Sequence, residues 1–106
     1  MMLTISPHDE VFTVMVRITI EPEDQASLIE MMKKMQPVFQ RQPGFIASAM
    51  LKSRGGTLAV NYLQWRSERD HEACMNSDEV AEAAKEFTAL MEAGRASMEV
   101  QTFEVI

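Results

Sequence analysis

The stretch Asn61-Tyr62-Leu63-Gln64-Trp65 sets a carboxamide and the only tryptophan of the chain four residues apart in a segment that reads as a β-strand. Side chains alternate along a strand, so Ala59, Asn61, Leu63 and Trp65 share one face while Val60, Tyr62 and Gln64 share the other. The first face is apolar with a single polar interruption. A buried amide without partners costs roughly 1–3 kcal/mol, so Asn61 is either satisfied by protein and water or kept to hydrogen-bond a ligand. An amide and an indole N–H on one apolar face are also the donors needed to hold a developing oxyanion. No Gly-rich nucleotide loop accompanies them. His8 and His71 are the only histidines, and His8 falls in residues 1–10, expected to be a loosely ordered tail, so neither a metal site nor a cofactor is expected.

The elements around this strand follow from periodicity. Phe12, Val14, Val16, Ile18 and Ile20 alternate with Thr13, Arg17 and Thr19, with Met15 as the exception, which predicts a strand with one strongly apolar face. Pro22, with Glu23 and Asp24 in the first turn, opens a helix whose Leu28, Ile29, Met32, Met35 and Phe39 form a stripe. Pro37 should kink that helix or split off its last turn. Pro43-Gly44 ends it, and residues 45–54 form a second strand that turns at Gly55-Gly56 into the Asn61–Trp65 strand as a hairpin. Ser67 with Asp70 three residues on reads as a helix cap, and Ser77 as the cap of a longer helix carrying Val80, Ala84, Phe87 and Leu90 or Met91. Gly94 ends that helix, and residues 97–106 form a last strand. The order is β-α-β-β-α-β.

Two helices that bury their stripes on one face of an antiparallel sheet predict an α+β, ferredoxin-like sandwich in a single domain over residues 1–106. The other sheet face is assigned Thr13, Met15, Ile46, Met50, Val60 and Tyr62, too apolar to stay wet, so two copies should pack these faces together as a homodimer. At 106 residues, 46% of them hydrophobic, the chain has a modest core that such an association would support. Its formal charge of −6 and its scattered lysines and arginines give no stripe for phosphates, so nucleic acid is not an expected partner. Apolar runs fall well short of the roughly 20 residues that span a bilayer, and no leader pattern is present, which predicts a cytoplasmic protein without membrane association. The lone Cys74 forms no internal disulfide and reads as a small hydrophobe on a helix.

The run Pro43-Gly44-Phe45, then Gly56-Thr57, Val60-Asn61-Tyr62, Gln64-Trp65 and Ser67-Glu68 resembles the antibiotic biosynthesis monooxygenase family. These are dimeric α+β barrels that include cofactor-free anthrone oxygenases of aromatic polyketide pathways. The resemblance extends in weaker form from the first strand to Thr102-Phe103-Glu104-Val105. It implies a pocket between helices and sheet, with Asn61 and Trp65 at the places of an asparagine and a tryptophan that handle substrate. Counted without gaps, a tyrosine of those oxygenases is replaced by His71, a histidine of the second strand by Leu51, and an arginine of the second long helix by Lys85. On this reading Asn61, Trp65 and His71 are the catalytic residues, and Leu51, Lys85, Met32 and Met35 contact substrate, with Met31 beside them. An imidazole with an ordinary pKa near ~6.5 can take the proton of a phenol at neutral pH. As a helix residue flanked by Asp70 and Glu72, His71 is equally open to a plain surface role, as Lys85 is to that of a solvated charge and the methionines to that of core.

The family also holds isomerases of small sugars and haem-degrading enzymes, and fold alone does not choose among them. The haem branch places an asparagine, a tryptophan and a ligating histidine where this chain has Val16, Cys74 and Ala84, which leaves no axial ligand. The expected function is therefore oxidation of a phenolic, anthrone or quinol-type aromatic by dioxygen without a cofactor. The alternative is a non-oxidative isomerase of a small carbonyl compound, or a ligand-binding dimer without turnover.

Overall fold

Branched and apolar residues at every second position make Phe12–Ile20 the central strand β1, with Val14 fully buried and Ile18 and Ile20 nearly so. The structure, a computed structural model, describes residues 11–104, so the expected loose tail over residues 1–10 lies outside the described residues. After β1 a 3-10 turn (Pro22–Asp24) leads into α1 (Gln25–Gln40). β2 (Phe45–Lys52) and β3 (Leu58–Trp65) form the hairpin, followed by α2 (Glu68–Met75), α3 (Asp78–Ala83), α4 (Lys85–Glu92) and β4 (Ala96–Glu104). All strand pairs are antiparallel, in the order β2-β3-β1-β4. This is the α+β, ferredoxin-like arrangement expected from the element order. Among the described residues no helix is long and apolar enough to cross a membrane.

The core lies between the sheet and the helices in two clusters. Val14, Leu63, Trp65, Val38, Cys74 and Val80 make one, and Ile18, Ile20, Ala59, Leu28 and Met32 the other. In register, Phe12 lies opposite Trp65, Val14 opposite Leu63, Val16 opposite Asn61 and Ile18 opposite Ala59. The helix-facing side of β3 is thus the one the alternation assigned to Asn61 and Trp65.

Three local expectations are corrected. Pro37 does not split off the last turn of α1, which runs through it to Gln40; the ring fixes a φ that a helix accepts, at the cost of one donor and of crowding against the carbonyl four residues back. The helix capped by Ser77, whose hydroxyl accepts from the Val80 N–H, breaks at Ala84 into α3 and α4 without any glycine or proline to mark it. The third concerns β2, whose pairing with β3 shifts register between Phe45 and Ala47. This bulge leaves Ile46 as an extra residue and reverses the alternation that follows it. Met50, expected on the open face, therefore lies opposite Asn61 and packs against the Ile18 and Leu28 cluster. Leu51, expected in the pocket, lies opposite Val60 on the other face and is 52% exposed.

A compact polar knot seats α2. The Ser67 hydroxyl accepts from the Asp70 N–H at 3.2 Å and donates to its carboxylate at 2.8 Å, while the Arg66 guanidinium holds both carboxylate oxygens at 3.1 Å. These bonds hold the Asp70 carboxyl below the usual range, the Arg66 contact first and the Ser67 hydroxyl second. The Arg66 N–H in turn donates to the Gly44 carbonyl at 2.7 Å. Gly44 has φ +82°, and a Cβ there would strike the Asp70 side chain. Gly44→Ala should therefore lose at least about 1 kcal/mol of stability, from the positive φ and the collision together. Urea unfolding measures it, and an unchanged midpoint would show that the Gly44 to Asp70 approach is not a constraint.

Candidate active site

The helices do not fill the space above β1 and β3, and an apolar cavity of about 450 Å³ remains between them. Both core clusters contribute to its walls, through Val14, Leu63 and Val80 from one and Ile18, Leu28 and Met32 from the other. Six methionines line it: Met31, Met32 and Met35 from α1, Met75 from α2, Met91 from α4 and Met98 from β4. Its only side chains with nitrogen or oxygen, among the described residues, are Asn61, Trp65, His71 and Thr88. The structure thus brings Asn61, Trp65 and His71 together, with Met32 and Met35 beside them. It does not bring Leu51 or Lys85. Lys85, the first residue of α4, points to solvent and pairs with Glu82 at 2.8 Å, since the cavity-facing stripe runs through Val80, Ala84, Phe87, Thr88 and Met91 and leaves it aside.

Asn61 is held between apolar neighbours, with Val16 opposite it on β1 and Met50 opposite it on β2. Neither side chain carries a donor for its carbonyl oxygen. Its Oδ1 is accordingly buried without a partner. The two ends of a carboxamide are alike in shape, so a half-turn about the last torsion presents the Nδ2 donor at the same place. Trp65, 0% exposed, sits beside Phe12 in register and meets Phe45 edge-on at 5.6 Å between ring centroids. Its Nε1 donor is also buried without a partner. Two orphaned polar atoms on residues that line one cavity are costly to a folded chain unless something else satisfies them. The other orphans, Thr13 Oγ1 and Gln64 Nε2, belong to residues opposite each other on the far side of the sheet.

His71 follows the capped first turn of α2 and leans over the same strand. Its ring centroid lies 5.8 Å from that of Trp65 and 5.5 Å from that of Phe12. Burial lowers its pKa below the ordinary 6.5, with the Glu72 and Glu68 carboxylates partly opposing the shift. At neutral pH the imidazole is therefore neutral and free to accept a proton. Three residues on in the same helix, burial pushes the Cys74 thiol up to about 11, which keeps it protonated and unreactive. Among the described residues no three His, Cys, Asp or Glu side chains gather as a metal would require. Along β3 the Asn61 and Trp65 backbones are about 13 Å apart at the usual strand rise. Base and indole thus stand at one end of the cavity and the amide nearer the other.

Several wall residues were not singled out for a site by their sequence positions: Phe87, Thr88, Met91, Met98 and Val100. Phe87 and Met91 belong to a stripe that reads as ordinary core, and Met98 and Val100 to the alternation of β4. Nothing in either pattern distinguishes packing against a neighbour from lining a void.

A model of the antibiotic biosynthesis monooxygenase family matches residues 11–99. The chain is 37% identical over 78 residues to the tetracenomycin-F1 monooxygenase of Streptomyces glaucescens, over 73% of this chain and 69% of that protein. Among solved structures, SnoaB of Streptomyces nogalater, described as a cofactor-independent oxygenase, matches with a TM-score of 0.72 at 22% identity, over 92% of this chain and 94% of that one. A conserved protein of Methanosarcina mazei Go1 matches with a TM-score of 0.78 at 15% identity, over 94% and 97%.

Proposed function

Because the chain belongs to the antibiotic biosynthesis monooxygenase family, we propose that it is a cofactor-independent monooxygenase that converts a phenolic, anthrone or quinol-type aromatic to a quinone with dioxygen. One observation carries this reading: an apolar cavity of about 450 Å³ is lined by Asn61 and Trp65, each with a buried polar atom that has no partner, and by an imidazole that burial keeps neutral. A flat aromatic fits such walls. An isomerase of a small polar carbonyl compound would need charged groups on the wall, and the described residues supply none there.

The chemistry follows from where the groups stand. Neutral His71 removes a proton from the ring system, and the negative charge moves through conjugation to an oxygen at the other side. An Asn61 N–H donates to that oxygen, beside apolar walls that make such a bond count for more than in open water. The resulting anion is electron-rich and gives one electron to dioxygen. Recombination of the two radicals forms a C–O bond, and the His71 imidazolium returns its proton to the peroxide. Loss of the remaining C–H proton then breaks the O–O bond and leaves a carbonyl, with the second oxygen atom departing as water. The balance is one dioxygen consumed, one oxygen atom gained by the ring and one water formed. The protein binds, desolvates, moves a proton and holds an oxyanion.

The test is oxygen uptake with a panel of anthrones and hydroquinones, with no flavin or metal added. Uptake matched mole for mole by quinone is expected. No uptake with any of them would overturn the reading.

The same proposal includes a homodimer through the sheet face away from the helices. Val60 and Leu51 lie paired there, with Met15 opposite Tyr62 and Phe103 opposite Thr13. Leu51 and Phe103 are 52% and 42% exposed, an apolar surface that a second copy would cover. Light scattering at micromolar concentration should give about twice the 12.0 kDa chain mass. A monomer would refute it.

A further inference from the structure

The cavity is closed on one side and open on the other. Leu28 and Met32 of α1 and Leu63 and Trp65 of β3, on the closed side, are all buried. Met75 of α2 and Met98 and Val100 of β4 also belong to the wall, yet they are 49%, 45% and 47% exposed, and Thr88 of α4 is exposed too. β4 is an edge of the sheet, and Met98 and Val100 stand opposite Ile18 and Val16 on its helix side, away from the face proposed for the homodimer. The opening therefore lies across the strands from β3, with β1 between, about 10 Å away at the usual strand spacing.

A flat ring system held between a sheet and helices lies parallel to both layers. The chemistry above fixes one of its in-plane axes: the carbon that loses its proton faces His71 and the oxygen that takes the charge faces Asn61, an axis that runs along β3. The other in-plane axis, the long one of an anthrone, then runs across the strands. One terminal ring is pressed among the buried side chains of α1 and β3, and the other passes over β1 into the opening at β4. From this we infer that the site reads the two ends of its substrate unequally: one terminal ring is enclosed and must be free of large or hydrated appendages, while the other tolerates them because they keep their water. The inference rests on the aromatic reading of the site given above and adds to it which edge of the substrate is free. A transfer reaction that loads one terminal ring, with a sugar or an acyl group, can thus precede this oxidation; one that loads both must follow it.

The single tryptophan, Trp65, lies in the cavity wall, so its fluorescence reports occupancy without turnover. Three probes would be titrated under anaerobic conditions: a symmetric dihydroxyanthrone, the same anthrone with a short polyethylene glycol ether on one terminal ring, and the same with that ether on both. A half-turn about the axis between His71 and Asn61 exchanges the terminal rings, so the singly loaded probe can always turn its ether to the opening. It should bind like the bare anthrone, and the doubly loaded probe at least roughly tenfold more weakly, since one ether must give up its water. Thr88→Phe and Val100→Phe together, which narrow the opening from both banks, should weaken the singly loaded probe relative to the bare one. A doubly loaded probe that binds as tightly as the bare anthrone, a singly loaded one as weak as the doubly loaded, or a ratio unchanged in that variant would overturn the inference. The aromatic reading would stand in each case, provided the bare anthrone still consumes oxygen. No quenching by any of the three, with no oxygen uptake, would overturn both.

Discussion

Replacing His71 with alanine should slow oxidation by roughly 10²- to 10⁴-fold at neutral pH, the range over which a positioned general base acts. The expectation comes from a half-buried imidazole set between the Phe12 and Trp65 rings, with its pKa lowered by burial. The sign of the pH dependence follows. A base works when deprotonated, and a lowered pKa keeps His71 deprotonated into the mildly acid range. The native enzyme should therefore hold its rate down to a pH below 6.5 and lose it only as the imidazole takes up a proton. The His71→Ala variant loses that limb. Its rate should instead climb with pH as solvent ionises the substrate, so alkaline conditions rescue it. Stopped-flow rates of quinone formation across the pH range would measure this; a variant as fast as the native protein at neutral pH would remove His71 from the mechanism.

Asn61→Ala should cost roughly 10²- to 10³-fold, the usual loss on removing one donor to a developing oxyanion. Here the loss should fall on kcat more than on KM, because an interaction that strengthens with negative charge is made in the transition state and not with the neutral substrate. Higher pH should not restore it, since ionising the substrate does not supply the missing donor. Stability should move the other way from a typical core truncation. Asn61 Oδ1 is buried without a partner between Val16 and Met50, so deleting the amide removes a penalty as well as volume. A variant at least as stable as the native chain, and far slower, would separate a functional amide from a structural one. Rescue by alkaline pH equal to that of His71→Ala would contradict the division of roles.

How far the site could be read from sequence depended on whether local pattern or tertiary packing decided each position. Asn61 and Trp65 were legible because β3 alternates without interruption, and His71 because the Ser67 to Asp70 cap fixes where α2 begins. Leu51 was misread for a definite reason. One extra residue at Ile46 reverses every side chain after it in β2, and Phe45-Ile46-Ala47 holds no glycine or other mark of a bulge. Lys85 was assigned through the resemblance alone, against a helical stripe through Val80, Ala84 and Phe87 that already left it outside, and the structure follows the stripe. Pro37 is the opposite case, a strong local signal that does not split the helix, whose last turn packs Val38 and Phe39 against the core. The cavity itself left no trace, since a void is a shortfall of atoms between elements and each wall stripe looks like core.

The methionine walls bear on how such a site changes over evolutionary time. Six unbranched thioether side chains form part of the cavity wall, and each can alter its outline by turning about its own bonds, with no movement of the main chain. Branched or aromatic residues at those six places as well would tie the cavity to one ligand outline, and a new ring system would then demand several coordinated replacements. On the function proposed above, flexible methionines let a lineage pass from one aromatic ring system to another through single, nearly neutral substitutions, while the strand and capped helix that carry Asn61, Trp65 and His71 stay unaltered. Inheritance of the chemistry and drift of the substrate are in this way assigned to different residues of one small domain.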